Sequence, residues 1–272
     1  MRERAATDSL PAVDVARIAL LFVSGLAAGV MNSIAGGGTI ITFPALIFSG
    51  IPSIVANATS TLALLPGTVA GVAGYRQSLP AVVRWIKLFA PVSLAGGLLG
   101  SILLTRTPAP LFDRLVPFLI LFATALFTTR ALFVRLLKLE ARGSAHAHSR
   151  GWLAGAMAFQ FAVSVYGGYF GAGIGILMLA TLGLLGFDDI HEMNAVKGVL
   201  GFLINAVAAA YFVCAGLVSW GPAAIVATGA MIGGFSGAHL AQKIPQPVVR
   251  HLVTAVGVFI TAMMFYEQLH RR

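Results

Sequence analysis

The chain has 272 residues, of which 58% are hydrophobic and only 10% charged, and its mean hydropathy is +0.91. Water-soluble domains usually carry about 25% charged residues, so this composition excludes a soluble globular protein and indicates an integral membrane protein. The net charge of +9 does not indicate nucleic-acid binding, because the basic residues lie in short gaps between apolar runs, as in the cytoplasmic loops of membrane proteins.

Two further exclusions follow from the termini and the cysteine content. The N-terminal segment MRERAATDSLPAVDVAR has mixed charge and no small-residue cleavage site, so a cleaved signal peptide is not expected. Cys214 is the only cysteine, which excludes an intrachain disulfide.

Ten apolar segments are predicted along the chain. A full crossing of the bilayer needs about 20 residues, and eight runs reach that length. They lie near residues 15–34, 54–75, 85–105, 110–136, 151–170, 192–217, 220–242 and 248–269. Two shorter runs, 39–50 and 174–186, would extend only about 18–20 Å as helices. They are therefore predicted to be half-membrane helices.

The second half of the sequence resembles the first at an offset of 137 residues. Residues 96–111 align with 233–248 through three glycines, a leucine and two prolines, and at the same offset Asn57 meets Asn194. Each half contains five segments and an odd number of crossings, so the two halves enter the membrane from opposite sides. The predicted fold is an all-α integral membrane protein built from two inverted repeats, with short helices after glycine-rich breaks.

The boundaries of this organisation follow from the polar segments. The sequence predicts an N-terminal tail (1–14), a first membrane repeat (15–136), a linker (137–150) and a second membrane repeat (151–270). Basic residues concentrate in the linker and in the loops on its side of the membrane. By the positive-inside rule, the linker is expected in the cytoplasm and both termini outside.

The segment NSIAGGGTIITFP places three glycines inside an apolar region. A break at Gly36, Gly37 and Gly38 would expose the first amides of a short helix that begins near Thr39. The amides and dipole of a helix N-terminus attract anions, and glycine lets a ligand approach the backbone. Residues 171–175 repeat the pattern in the second half. Close helix packing is the alternative explanation, and it is the role expected of GGLLG (96–100) and GGFSG (233–237).

Polar residues near these breaks complete the predicted site. The third segment of the first half begins ANATST, and its counterpart MNAVKG carries a lysine three residues after its asparagine. Lysine within a membrane span either marks a substrate path or extends to the interface, and both explanations of Lys197 stay open. The predicted binding residues are Asn32, Gly36, Gly37, Gly38, Thr39, Asn57, Thr59, Ser60, Gly171, Gly173, Asn194 and Lys197.

With GVMNSIAGGGTIITFPAL followed by ANATSTLALLPG, the chain resembles the sulfite exporter TauE/SafE family of membrane permeases. The resemblance extends over essentially the whole chain, although GAGIG in the second half is less regular than the triple glycine. It implies a location in the bacterial cytoplasmic membrane. It also implies transport of a small sulfur-containing anion such as sulfite, thiosulfate or an organosulfonate. A site made only of hydrogen-bond donors agrees with an oxyanion substrate.

The sequence is also consistent with functions other than export. An anion channel, a proton-coupled or exchange permease for another anion, and a non-transporting assembly subunit all stay open. An intramembrane enzyme is not expected, because no nucleophile, base and orienting group occur together. No cofactor and no metal are expected, since His146 and His148 in SAHAHS fit a solvated linker better than a metal site. The expected partners are the substrate anion and the lipid bilayer, without nucleic acid.

Overall fold

The computed structural model describes residues 12–34, 37–143, 150–187, 189–240, 254–255, 257–263 and 265–266. Helix is the only regular secondary structure in these ranges. The helices are α1 (Ala12–Ile34), α2 (Thr39–Phe48), α3 (Ser53–Ala63), α4 (Leu65–Ala73), α5 (Leu79–Arg106), α6 (Ala109–Gly143), α7 (Arg150–Tyr169), α8 (Ile174–Leu184), α9 (Ile190–Cys214) and α10 (Trp220–Leu240). Residues 257–263 form a further helical segment.

In the part of the chain that the structure describes, the expected all-helical fold is confirmed, with several segments suited to a bilayer. Within the described ranges, five segments are long and apolar enough to cross a membrane: Val15–Ser33, Ser53–Ala73, Leu79–Arg106, Ala109–Leu126 and Ile190–Cys214. Two shorter apolar helices, Thr39–Phe48 and Ile174–Gly183, occupy the positions of the predicted half-membrane helices. The predicted spans 151–170 and 220–242 coincide closely with α7 and α10. The predicted span 248–269 lies only partly within the described residues.

Two segments differ from the sequence-based prediction. The predicted span 54–75 is interrupted at Leu64, where α3 ends and α4 begins. Pro66 explains the interruption, because proline has no amide hydrogen to donate and its ring displaces the carbonyl one turn earlier. Helix α6 also continues to Gly143, into the segment predicted as a linker. The remainder of that linker, with His146 and His148, lies outside the described residues.

Each half of the chain begins with a helical hairpin. Helix α2 ends beside the start of α1, where a Cβ added to Gly50 would lie 3.0 Å from an Arg17 guanidinium nitrogen. Likewise α8 is followed by Phe187, which packs in the same apolar cluster as Trp152 near the start of α7. The short helix therefore returns toward the end of the bundle from which the preceding long helix started. The sequence had left this choice between a crossing and a hairpin open.

Two contacts define the ends of the helix bundle, which we term the Trp85 end and the Thr107 end. At the Trp85 end, Trp85 near the start of α5 packs edge-on against Phe187, with ring centroids 5.3 Å apart. At the Thr107 end, the Thr107 hydroxyl after α5 lies 3.3 Å from the Tyr169 hydroxyl at the end of α7. Helices α5 and α9 both run from the Trp85 end to the Thr107 end, since the Thr105 hydroxyl hydrogen-bonds Tyr211 at 3.5 Å.

Glycines bring helices from opposite halves of the chain into backbone contact. A Cβ added to Gly233 on α10 would collide with the Leu26 carbonyl of α1, and one added to Gly96 on α5 would lie 2.8 Å from the Phe161 carbonyl of α7. The first helix of each half thus packs on the helix that carries the GGxxG pattern of the other half. The packing role predicted for these glycines is confirmed at Gly96, Gly97, Gly100, Gly233 and Gly234.

Candidate functional site

The two glycine-rich breaks meet inside the bundle. Gly37 before α2 has φ +108°, and Gly173 before α8 has φ +81°, values that glycine adopts far more readily than other residues. A Cβ added to Gly37 would lie 3.6 Å from the backbone nitrogen of Gly173. The N-termini of both short helices are therefore adjacent, although each belongs to a different half of the chain.

The start of α2 is capped by a side chain from the end of α1. The Gly38 amide donates a 2.8 Å hydrogen bond to the Asn32 side-chain oxygen. This amide, which the sequence predicted to be exposed to a ligand, thus has a partner within the protein. Because the Asn32 oxygen accepts that bond, the NH2 group of the side chain is the part that a ligand can use.

The start of α8 has amides available for a ligand. The Tyr166 hydroxyl donates to the Ala172 carbonyl at 2.8 Å and holds the break in place. Among the described residues, no group accepts a hydrogen bond from the Ile174 or Gly175 amide, as is usual for the first turn of a helix. These residues and Gly171 line a cavity.

This cavity has a volume of about 60 Å³ and lies between the two helix N-termini. Its wall contains amide, hydroxyl and ammonium groups, and no carboxylate occurs among the described residues that line it. The lining residues are Asn32, Gly37, Thr39, Leu64, Thr68, Gly171, Ile174, Gly175, Met178, Lys197, Gly198, Gly201 and Asn205. We term it the central cavity.

A smaller cavity of about 30 Å³ adjoins the central cavity on its Trp85 side. The two share Asn32, Thr68, Lys197 and Gly198, and the smaller one is also lined by Tyr75. Tyr75 follows α4, and its ring lies 6.3 Å from that of His191 at the start of α9. Polar space therefore extends from the central cavity toward the Trp85 end.

Lys197 is the basic residue of both cavities. Its side chain is only 6% exposed, and its ammonium donates a 2.8 Å hydrogen bond to the Asn194 side-chain oxygen. The Asn194 amide group in turn donates to the Ile190 carbonyl at 2.8 Å, which fixes the orientation of the pair. A snorkelling lysine keeps its ammonium in contact with water, whereas this one is buried against the cavity wall.

Three of the predicted binding residues lie away from the central cavity and hold elements together. The Asn57 amide donates to the Tyr169 carbonyl at 3.0 Å, and the Thr59 hydroxyl accepts from the Ser219 amide at 3.0 Å. The Ser60 and Thr42 hydroxyls lie 2.6 Å apart. All three predicted residues are fully buried.

The other predicted residues are divided between the cavity wall and its surroundings. Asn32, Gly37, Thr39, Gly171 and Lys197 line the central cavity. Asn194 lines the adjoining cavity. Gly38 and Gly173 lie in the breaks without lining either cavity, and Gly36 lies outside the described residues.

Thr68 and Asn205 line the central cavity but were not predicted from the sequence. They are related by the same 137-residue offset as Asn57 and Asn194, so the two halves contribute polar residues at equivalent positions. Leu64 and Gly201 are a second cavity-lining pair with that offset. An amide in the middle of an apolar helix was the available signal for Asn205, since such groups are costly in a membrane without a partner.

Comparisons with known proteins agree with a transporter. A protein of Haemophilus influenzae named "Probable membrane transporter protein" is 29% identical over 252 residues, covering 92% of this chain and 95% of the relative. The "Probable membrane transporter protein ORF9" of Sinorhizobium is 27% identical over 260 residues, covering 93% and 94%. The "Probable membrane transporter protein YfcA" of Escherichia coli is 24% identical over 267 residues, covering 96% and 94%.

No solved structure matches the chain significantly. The family model "Sulfite exporter TauE/SafE" matches residues 21–264, which include most of both helical hairpins and all the residues that line the central cavity. Because this match extends over most of the sequence, the chain belongs to the sulfite exporter TauE/SafE family of membrane transporters.

Proposed function

We propose that the protein is a secondary transporter that exports a small sulfur-containing oxyanion and binds it in the central cavity. One observation supports this most directly: the N-termini of α2 and α8 and the ammonium of Lys197 meet at a single cavity. Helix N-termini carry partial positive charge, and a lysine adds a full one. With no carboxylate among the described lining residues, this cavity favours anions.

The size and donors of the cavity fit a small oxyanion. One water needs about 10–15 Å³ of such space, so a cavity of about 60 Å³ accommodates an anion with a few non-hydrogen atoms. The Asn32 amide, the Thr39 hydroxyl and the first amides of α8 are hydrogen-bond donors along the wall. The name of the family suggests sulfite, and thiosulfate or a small organosulfonate has similar acceptor oxygens.

We also propose that the two halves form an inverted repeat that provides alternating access. Equivalent hairpins, α1–α2 and α7–α8, and the exchanged packing of α1 on α10 and of α7 on α5 support this. On the Thr107 side, the buried rings of Phe43 and Phe170 meet edge-on with centroids 5.3 Å apart. The smaller cavity extends the polar space from the central cavity toward the Trp85 end. This is expected of a conformation in which the substrate reaches the site from the Trp85 end.

The Trp85 end is proposed to face the cytoplasm. Arg76, Arg84 and Lys87 lie there, and basic residues accumulate in cytoplasmic loops. An anion whose charge is not compensated by the protein would then move outward along the membrane potential. Such a potential supplies about 2.3 kcal/mol per charge for each 100 mV, which is sufficient for about a fiftyfold gradient.

Purified protein in liposomes loaded with sulfite tests this function. A potential set with potassium and valinomycin at fixed pH should accelerate sulfite efflux when the liposome interior is negative and slow it when the interior is positive. Insensitivity to potential together with dependence on a pH gradient would contradict electrogenic export and indicate proton-coupled transport or exchange. Flux far above carrier turnover rates would indicate a channel, and an absence of flux would indicate an assembly subunit.

A further inference from the structure

We infer that the transported anion sits over Gly201 on α9, where it accepts a hydrogen bond from the Asn205 amide and is attracted by the charge of Lys197. This inference rests on the proposed function, since it specifies where in the central cavity the oxyanion binds. All three residues line that cavity.

The spacing of these residues puts them on one face of α9. Each follows the previous one by four residues, so they lie one above another along the helix. Lys197 and Asn205 are separated by about 12 Å along the axis, with Gly201 between them. A Cβ added to Gly201 would have no atom within 4 Å. The absence of a side chain at this position therefore leaves room one turn before the Asn205 amide.

Asn205 has hydrogen-bonding groups that the protein does not use. Its side chain makes no hydrogen bond to another residue in the part of the chain that the structure describes. It lies well inside α9, and a Cβ added to Gly171, in the break before α8, would be 3.8 Å from its side-chain oxygen. An amide within an apolar helix is costly unless a partner satisfies it, and an oxyanion over Gly201 would be that partner.

Helix α4 offers no free donor at the equivalent positions. Thr68 occupies the position on α4 that corresponds to Asn205, but its hydroxyl donates a 3.0 Å hydrogen bond to the Leu64 carbonyl of its own helix. Leu64, which corresponds to Gly201, is apolar and 3% exposed. Of these equivalent positions, the one on α9 therefore supplies the donor. It acts together with the Asn32 NH2 group, the first amides of α8 and the Thr39 hydroxyl, which makes no hydrogen bond to another described residue.

This arrangement selects a particular class of ligand. The ammonium of Lys197 is hydrogen-bonded to the Asn194 side-chain oxygen at 2.8 Å, toward the start of α9 and away from Gly201, so it attracts the anion by its charge rather than by contact. The amide of Asn205, the Thr39 hydroxyl and the first amides of α8 are donors on different parts of the cavity wall. A ligand that satisfies several of them needs several acceptor oxygens, as the small pyramidal or tetrahedral oxyanions of sulfur have. A single-atom anion such as chloride cannot reach donors on different parts of the wall.

Sulfite titration of the purified full-length protein by calorimetry tests the inference with three variants. Gly201→Ala adds one methyl group where no protein atom lies within 4 Å. It is expected to keep or raise the melting temperature, because alanine favours helix, yet to weaken sulfite binding more than tenfold. Asn205→Leu keeps a side chain branched at Cγ without the amide and is expected to weaken binding at least tenfold.

Gly155→Ala on α7 is the matched control. A Cβ there also has no atom within 4 Å, but Gly155 does not line the central cavity, so sulfite should bind as in the unaltered protein. Binding of unchanged strength in either Gly201→Ala or Asn205→Leu would overturn this location for the anion while the proposed transport function stands. If the unaltered protein binds no sulfite, both the proposed substrate and this location are wrong.

Discussion

Gly37 and Gly173, which precede the short helices of opposite halves, lie side by side, because a Cβ added to Gly37 would be 3.6 Å from the Gly173 backbone nitrogen. Both have positive φ, so each break depends on a backbone conformation that side chains disfavour. Their proximity brings two positive helix ends to the same cavity. The repulsion between these ends would be relieved by a bound anion.

Gly37→Ala is predicted to destabilise the protein and also to weaken anion binding. A side chain at φ +108° is strained, with a cost of about 1–3 kcal/mol, and the new methyl group would lie 3.1 Å from Met31 and beside the cavity. Gly186→Ala is the control, because Gly186 has φ +83° and an added Cβ meets nothing within 4 Å. Unfolding and sulfite titration of both variants should show destabilisation in each but loss of affinity only at Gly37. Unchanged affinity in Gly37→Ala would contradict a binding role for this break.

Lys197→Met is predicted to weaken sulfite binding more than tenfold. A hydrogen bond to a charged group contributes about 1.5–3 kcal/mol, and Met retains most of the apolar stem. Lys87→Met on the exposed surface of α5 removes the same charge without touching the cavity and should leave the affinity unchanged. Calorimetric titration distinguishes the two variants. An affinity in Lys197→Met within twofold of the original would show that this lysine serves only the structure.

Asn32→Asp is predicted to keep the fold and lose transport. A carboxylate oxygen can still accept the hydrogen bond of the Gly38 amide, now seen at 2.8 Å, so the start of α2 stays capped. The substitution replaces a donor with a negative charge at the cavity, which repels an anion. Asn32→Ala should instead lose the capping bond and about 1 kcal/mol of stability. Sulfite flux in liposomes and thermal unfolding measure the two effects separately, and normal flux in Asn32→Asp would contradict anion binding at this residue.

Gly233→Ala is predicted to destabilise the contact between α1 and α10. The added methyl group would collide with the backbone carbonyl of Leu26, and overpacking of this kind costs about 1–3 kcal/mol. Gly221→Ala on the same helix meets no atom within 4 Å and serves as the control. Thermal unfolding in detergent should show a lower melting temperature for Gly233→Ala alone. Equal melting temperatures of the two variants would contradict this prediction, because α1 and α10 could then move apart for the methyl group at no cost in stability.

The orientation of the protein can be checked at the linker between the two halves. Ser144→Cys in a Cys214→Ser background places the only thiol in that linker. A membrane-impermeant thiol reagent should leave intact cells unlabelled and react after permeabilisation, because basic linkers stay in the cytoplasm. Rapid labelling of intact cells would reverse the assignment of the Trp85 end to the cytoplasm.

Local properties of the sequence were sufficient for the class of protein and for its segments. Hydropathy indicated a multi-pass membrane protein, and the glycines before Thr39 and at 171–175 correctly marked the starts of α2 and α8. Helices in a bilayer satisfy their own backbone hydrogen bonds, so apolar length and glycine breaks determine where they begin and end without reference to distant residues. The glycine patterns at 96–100 and 233–237 indicated close packing, because glycine lets the backbones of two helices approach each other.

Only the tertiary structure decided which polar residues lie at the cavity. Asn57 and Ser60 looked as suitable as Asn32 in the sequence, yet they bond to Tyr169 and Thr42 and hold helices together. Thr68 and Asn205 looked ordinary, yet they line the central cavity. A polar side chain in a membrane needs a partner, and whether that partner is another helix or a ligand depends on which helices meet. Contacts between different helices, and no local pattern, determine that choice.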